Sequence, residues 1–106
     1  MRKVKIETWK SKMPNGEEMD EDLLTALNVL IGNKKPESIP RGLDKFRLYG
    51  RLSKAFEKAD KTRILELEES DYSFLKKTIE EDVPSTWGMN SNISKAIEDF
   101  INAKEE

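Results

Sequence analysis

A chain of 106 residues without histidine or cysteine has the size of one compact domain and lacks the ligands of zinc and most transition-metal sites. It also lacks the base of His-dependent triads and any thiol nucleophile. Lys and Arg total 19 and Asp and Glu 21, with 36% hydrophobic and 38% charged residues, a mixture that predicts a folded globule of net charge −2.

Residues 3–9 alternate, with Val4, Ile6 and Thr8 on one face and Lys3, Lys5, Glu7 and Trp9 on the other, which predicts a strand. Met13-Pro14-Asn15-Gly16 follows as a turn signal, since proline presets φ and glycine accepts the left-handed position. A short return strand at Glu17–Met19 completes a predicted hairpin. Asp20 is the expected cap of a first helix carrying Leu23, Leu24, Leu27, Leu30 and Ile31, with Gly32 at its end. Asn33 to Pro40 reads as a connector.

The second predicted helix spans Leu43 to Asp60. Arg63 to Glu68 then reads as a short strand pairing with the N-terminal hairpin. Ser70 is the expected cap of a third helix bearing Phe74, Leu75, Thr78 and Ile79, ending before Val83-Pro84. A loop through Trp87, Gly88 and Met89 leads to a last helix, Asn92 to Ala103, whose Ile93, Ala96, Ile97, Phe100 and Ile101 form one apolar stripe. The expected fold is a single α+β domain over residues 1–106, in the order β-β-α-α-β-α-α. A small antiparallel sheet packs against about four amphipathic helices. Its expected core is Leu24, Leu27, Ile31, Phe46, Leu52, Phe56, Phe74, Leu75, Ile79, Ile97 and Phe100.

No motif marks an active site. The acidic run Glu17, Glu18, Asp20, Glu21, Asp22 is interrupted by Leu23-Leu24 and lacks the glycine of a calcium loop, so it reads as a capped helix start. Glu66 and Glu68 share a strand face without a following lysine and read as exposed carboxylates. Neither GxGxxG nor GxxxxGK[ST] occurs. No metal, cofactor or small-molecule ligand is expected, and the chain reads as non-enzymatic.

The second helix carries the strongest signal. Arg47, Arg51, Lys54, Lys58 and Lys61 follow one another by four, three, four and three residues, forming a one-sign basic ridge with no acid among its own positions, where solvated faces usually mix signs. Residues 41–63 hold eight basic and three acidic groups, whereas residues 64–106 hold four and eleven. Because the ridge projects away from the apolar arc, reversing Arg51 and Lys54 is expected to leave the fold intact. Trp87, Met89 and Trp9 are further candidate anchors, though Trp87 reads more readily as a lid over the core and Trp9 is ambiguous in the same way.

The leading expectation is therefore a non-catalytic accessory protein acting by macromolecular interaction or assembly, with a protein partner or self-association. Its composition is of a kind common in viral and mobile-element proteins. The alternative is a nucleic-acid-binding accessory protein using the same ridge on phosphates. No stretch approaches the roughly 20 apolar residues of a membrane span. MRKVKIETW does not read as a secretory signal, and the lack of cysteine fits a reducing compartment, so the expected location is cytoplasmic.

Overall fold

The computed structural model describes residues 1–12 and 14–104. In chain order they form β1 (Arg2–Lys5), β2 (Thr8–Lys12), β3 (Glu18–Asp22), α1 (Leu23–Gly32), α2 (Leu43–Thr62), β4 (Ile64–Leu67), α3 (Glu69–Asp82) and α4 (Ser91–Ile101). Short 3₁₀ turns lie at Pro36–Ser38 and Ser85–Met89. The class is α+β as expected, but the order gains a strand because the predicted first strand divides in two.

The reason is a change of parity. Val4 and Ile6 are buried in alternation, and the next buried side chain is Trp9 rather than Thr8. A strand with strict period two cannot bury all three on one face. The chain therefore changes sheets between Ile6 and Glu7. The Ile6 N–H donates to the Arg63 carbonyl at 3.0 Å, and the Glu7 carbonyl accepts from the Leu23 N–H at 3.1 Å. Two separate antiparallel pairs result: β1 with β4, placing Val4 opposite Leu65, and β2 with β3, placing Trp9 opposite Glu21. The strand at residues 64–67 thus pairs with β1 and not with the hairpin β2–β3.

The hairpin turn uses the expected residues. Asn15 Oδ1 accepts from the Glu17 N–H at 3.0 Å, and Gly16 takes φ +87°; Met13 of the predicted turn lies outside the described residues. The return strand runs on to Asp22, so Asp20 is a strand residue opposite Lys10 and not a helix cap. Asp22 caps α1 instead, its Oδ1 accepting from the Thr25 N–H at 2.9 Å and the Thr25 hydroxyl at 3.0 Å. Gly32 is the last residue of α1, with Asn33 after it. Glu68, not Ser70, occupies the cap position of α3. α4 starts one residue early because Asn90 Oδ1 receives the Asn92 and Ile93 N–H groups.

Both β1 and β4 and all four helices contribute to one apolar cluster. Leu24, Leu27, Leu52, Phe56, Leu75, Ile79, Ile97 and Phe100 of the expected core are buried, and Ile31 and Phe74 pack half-buried at its edge. Phe46 is the exception, at 76% exposure. At about 100° per residue the buried Leu48, Leu52, Phe56 and Ala59 span an arc of about 80°, and Phe46 falls about 80° beyond its edge. Leu43 lies opposite the arc and is 59% exposed. The predicted inward half of α2 was too wide.

At the other end of the core, Tyr72 of α3 lies against Phe100 of α4 with ring centroids 5.1 Å apart. Its hydroxyl reaches the carbonyls of Phe100 and Ile101 at 2.7 and 2.9 Å. Arg2 of β1 stacks on the Tyr72 ring at 4.2 Å, bonds Glu69 with both nitrogens of its fork, and also bonds the Ala103 carbonyl. One cation so ties β1, α3 and the end of α4 together. No helix among the described residues is long and apolar enough to cross a membrane.

Candidate interaction surface

α2 begins at Gly42, whose φ of +104° is a conformation that side chains other than glycine rarely adopt. The Gly42 carbonyl accepts the Phe46 N–H at 2.9 Å, closing the first helical turn. Before it, Ile39 is held extended ahead of Pro40, so the segment Ile39–Gly42 runs up to the helix as a wall. Between this wall and the outer side of α2 lies an open groove of about 840 Å³. Ile39, Phe46 and Gly50 line it, and Leu43 stands exposed on the same turn as Phe46.

The charge around the groove has one sign. Arg41, Lys45, Arg47, Arg51 and Lys54 line it, and among the described residues no carboxylate does. Beneath them, Tyr49 of α2 meets Phe74 of α3 with ring centroids 5.8 Å apart, and Lys45 Nζ lies 5.9 Å from the Phe74 ring centre. The positive end of the α2 dipole adds to the field, offset in part by Asp44 in the first turn.

The basic ridge is not free along its whole length. Arg51 makes a bidentate pair with Asp71 of α3, at 2.9 and 3.0 Å, and the Asp71 side chain is only 5% exposed. The hydrogen bonds to Asp71 hold the Arg51 guanidinium above its ordinary pKa. Lys58 pairs with Glu66 of β4 at 2.6 Å, and this hydrogen bond keeps the Glu66 carboxyl below its usual range. Arg47, Lys54 and Lys61 are exposed, and among the described residues none of them has a salt-bridge partner within 4.0 Å.

The expectation that reversing Arg51 is harmless is therefore corrected: Arg51 neutralises a buried carboxylate. The acids that interrupt the ridge come from α3 and β4, 20 and 8 residues along the chain, beyond the reach of an i±4 rule. Arg51 thus ties α2 to α3 of its own chain.

The aromatic candidates part company. Trp9 is 9% exposed and its Nε1 donates to Glu21 Oε2 at 3.1 Å, so it is a core side chain and not an available anchor. Trp87 is half-buried against the core from the 3₁₀ turn, the lid position. Met89 on that turn is 89% exposed. The structure does not bring Trp87 or Met89 into the α2 groove.

The groove adds Ile39, Arg41, Lys45 and Phe46 to the candidates, and the exposed Leu43 stands beside it. Centring the α2 wheel on Leu48, Leu52, Phe56 and Ala59 alone would have found Leu43 and Phe46. Among the described residues, no group of three or more acidic side chains is placed to hold a metal ion. Against family models, curated proteins and solved structures alike, the chain gives no match.

Proposed function

We propose that this chain is a non-catalytic docking protein that engages another protein through the groove at the N-terminal half of α2. One observation carries the reading. Phe46 stands 76% exposed in a groove lined by Arg41, Lys45, Arg47, Arg51 and Lys54, and Leu43, 59% exposed, stands beside it on the same helical turn. Leaving these two side chains in water forgoes burial worth roughly 1.5–3 kcal/mol each. An apolar centre rich in aromatics with a charged rim is the anatomy of a protein interface. The partner should present an apolar anchor among carboxylates.

The second reading, a nucleic acid, draws on the cations that line the groove with no carboxylate among the described residues and on one exposed ring able to stack on a base. Against it, Arg51 and Lys58 already have carboxylate partners, which leaves fewer cations for phosphates. Capture from nuclease-treated extract of the native cells separates the readings. The wild type should retain a protein that the Phe46→Ala, Lys54→Glu variant, melting normally, loses. Capture that vanishes with nuclease, with an affinity falling linearly and steeply with log salt, would favour nucleic acid.

A further inference from the structure

We infer that the groove's occupant is a second copy of this chain, which presents the outer edge of β3, with Met19 as its anchor. This rests on the docking reading above. The groove calls for carboxylates around an apolar side chain, and β3 supplies that combination. Met19 is 46% exposed and is flanked by exposed Glu17, Glu18 and Asp20. Among the described residues β3 pairs only with β2, which leaves its other edge without a strand. Side chains alternate along a strand. An edge-on approach can therefore set the Met19 thioether against Phe46 while Glu18 and Asp20 reach the cations of the rim. Lys10 and Lys12, which face Asp20 and Glu18 across the hairpin, stand one strand behind, about 4.8 Å further away; Lys10 Nζ comes within 4.0 Å of Glu18 Oε2, an exposed contact that docking would exchange for the rim cations. Sulfur against an aromatic ring is itself a favourable contact.

A single chain cannot fill its own groove in this way. Arg63, immediately after α2, holds the base of the hairpin through Thr8 at 2.9 Å and Asp22 at 3.0 Å. Phe46, the apolar side chain of the groove, lies on the same helix, about 26 Å back along the axis from Arg63. The five-residue strands of the hairpin reach only about 17 Å. Donor edge and acceptor groove are different patches at opposite ends of α2, so the contact is heterologous and propagates head to tail.

Sedimentation of two variants and their mixture tests this. Glu18→Lys with Asp20→Lys disables the hairpin edge and keeps the groove; Phe46→Ser with Lys54→Glu disables the groove and keeps the edge. Where the first pair does not fold by circular dichroism, Met19→Ser takes its place. The wild type, at about 1 mM and low salt, should sediment well above the monomer and return to it at about 0.5 M salt. Each variant alone should be monomeric. Their equimolar mixture should form a dimer and grow no further, because only one productive contact remains. A monomeric wild type, a mixture that stays monomeric, or variants that still assemble overturns the inference. Groove-dependent binding of a single-stranded oligonucleotide by a monomeric wild type overturns it in favour of a polyanion. A monomeric wild type whose protein capture still depends on Phe46 removes the second copy as occupant and leaves the docking reading standing.

Discussion

Two phenylalanines, Phe100 in α4 and Phe46 in α2, mark the two kinds of region in this molecule. Phe100 is fully buried against Tyr72, with Arg2, Glu69 and the end of α4 closing over the pair. Phe46 is three-quarters exposed among cations. Both sit on amphipathic helices, and among the described residues only the first is enclosed by its neighbours. Where a strand, two helices and a bidentate Arg converge, apolar area is spent on the fold. At the start of α2 it is left in water.

The comparison is sharpest in stability. Phe100→Ala should cost about 3–5 kcal/mol, the usual price of a fully buried aromatic. Phe46→Ala should change stability by no more than about 0.5 kcal/mol. Thermal or denaturant melts of the two variants decide it, and equal losses would erase the distinction between the regions.

A similar contrast lies within the ridge. Arg51→Glu removes the partner of the buried Asp71 and places a second carboxylate beside it, so its melting temperature should drop by about 5 °C or more. Lys54→Glu, three residues on and unpaired, should melt within about 2 °C of wild type. If both melt alike, Asp71 is not held by Arg51.

Acid should weaken the pole around Arg2 and the base of the hairpin. The hydrogen bond to Arg2 holds Glu69 below its ordinary value of 4.5. Burial pushes Asp22 up, but the Thr25 N–H and hydroxyl together with Arg63 outweigh it and bring Asp22 below 3.8. Folded-state values under the unfolded ones mean the unfolded chain takes up protons first. The stabilisation is thus complete above about pH 4.5 and is lost as pH falls through the lower native values. Glu69→Gln should flatten the acid limb of a stability–pH curve, whereas an unchanged limb would remove Glu69 from the account.

The smallest effect concerns Tyr49, whose hydroxyl is buried without a hydrogen-bond partner among the described residues. Removing an unsatisfied hydroxyl stabilises, so Tyr49→Phe should be neutral or gain about 1 kcal/mol in a denaturant melt. A loss of that size would mean the hydroxyl is bonded.

The helices were legible in the sequence because their apolar spacing is local: α2, α3 and α4 fall within two residues of expectation. What was not legible depends on partners far along the chain. The split of the first strand follows from Leu23 and Arg63 each bonding one side of the Ile6–Glu7 junction. The interruption of the ridge depends on Asp71 and Glu66, and the burial of Trp9 on Glu21 across the hairpin. Phe46 was misplaced for a different reason. A helix wheel shows which residues share a face but not how wide the buried arc is, and α2 buries a narrow one.

The exposed face of α2 is the central claim, and a photo-crosslinking amino acid substituted for Phe46 tests it most directly. Irradiated in its native cells, the protein should give a discrete crosslinked protein band, either its own dimer or one other chain. A crosslinker at the exposed Lys104, beyond the end of α4, should not give that band. No protein crosslink from position 46, or a crosslink to nucleic acid alone, would contradict the account.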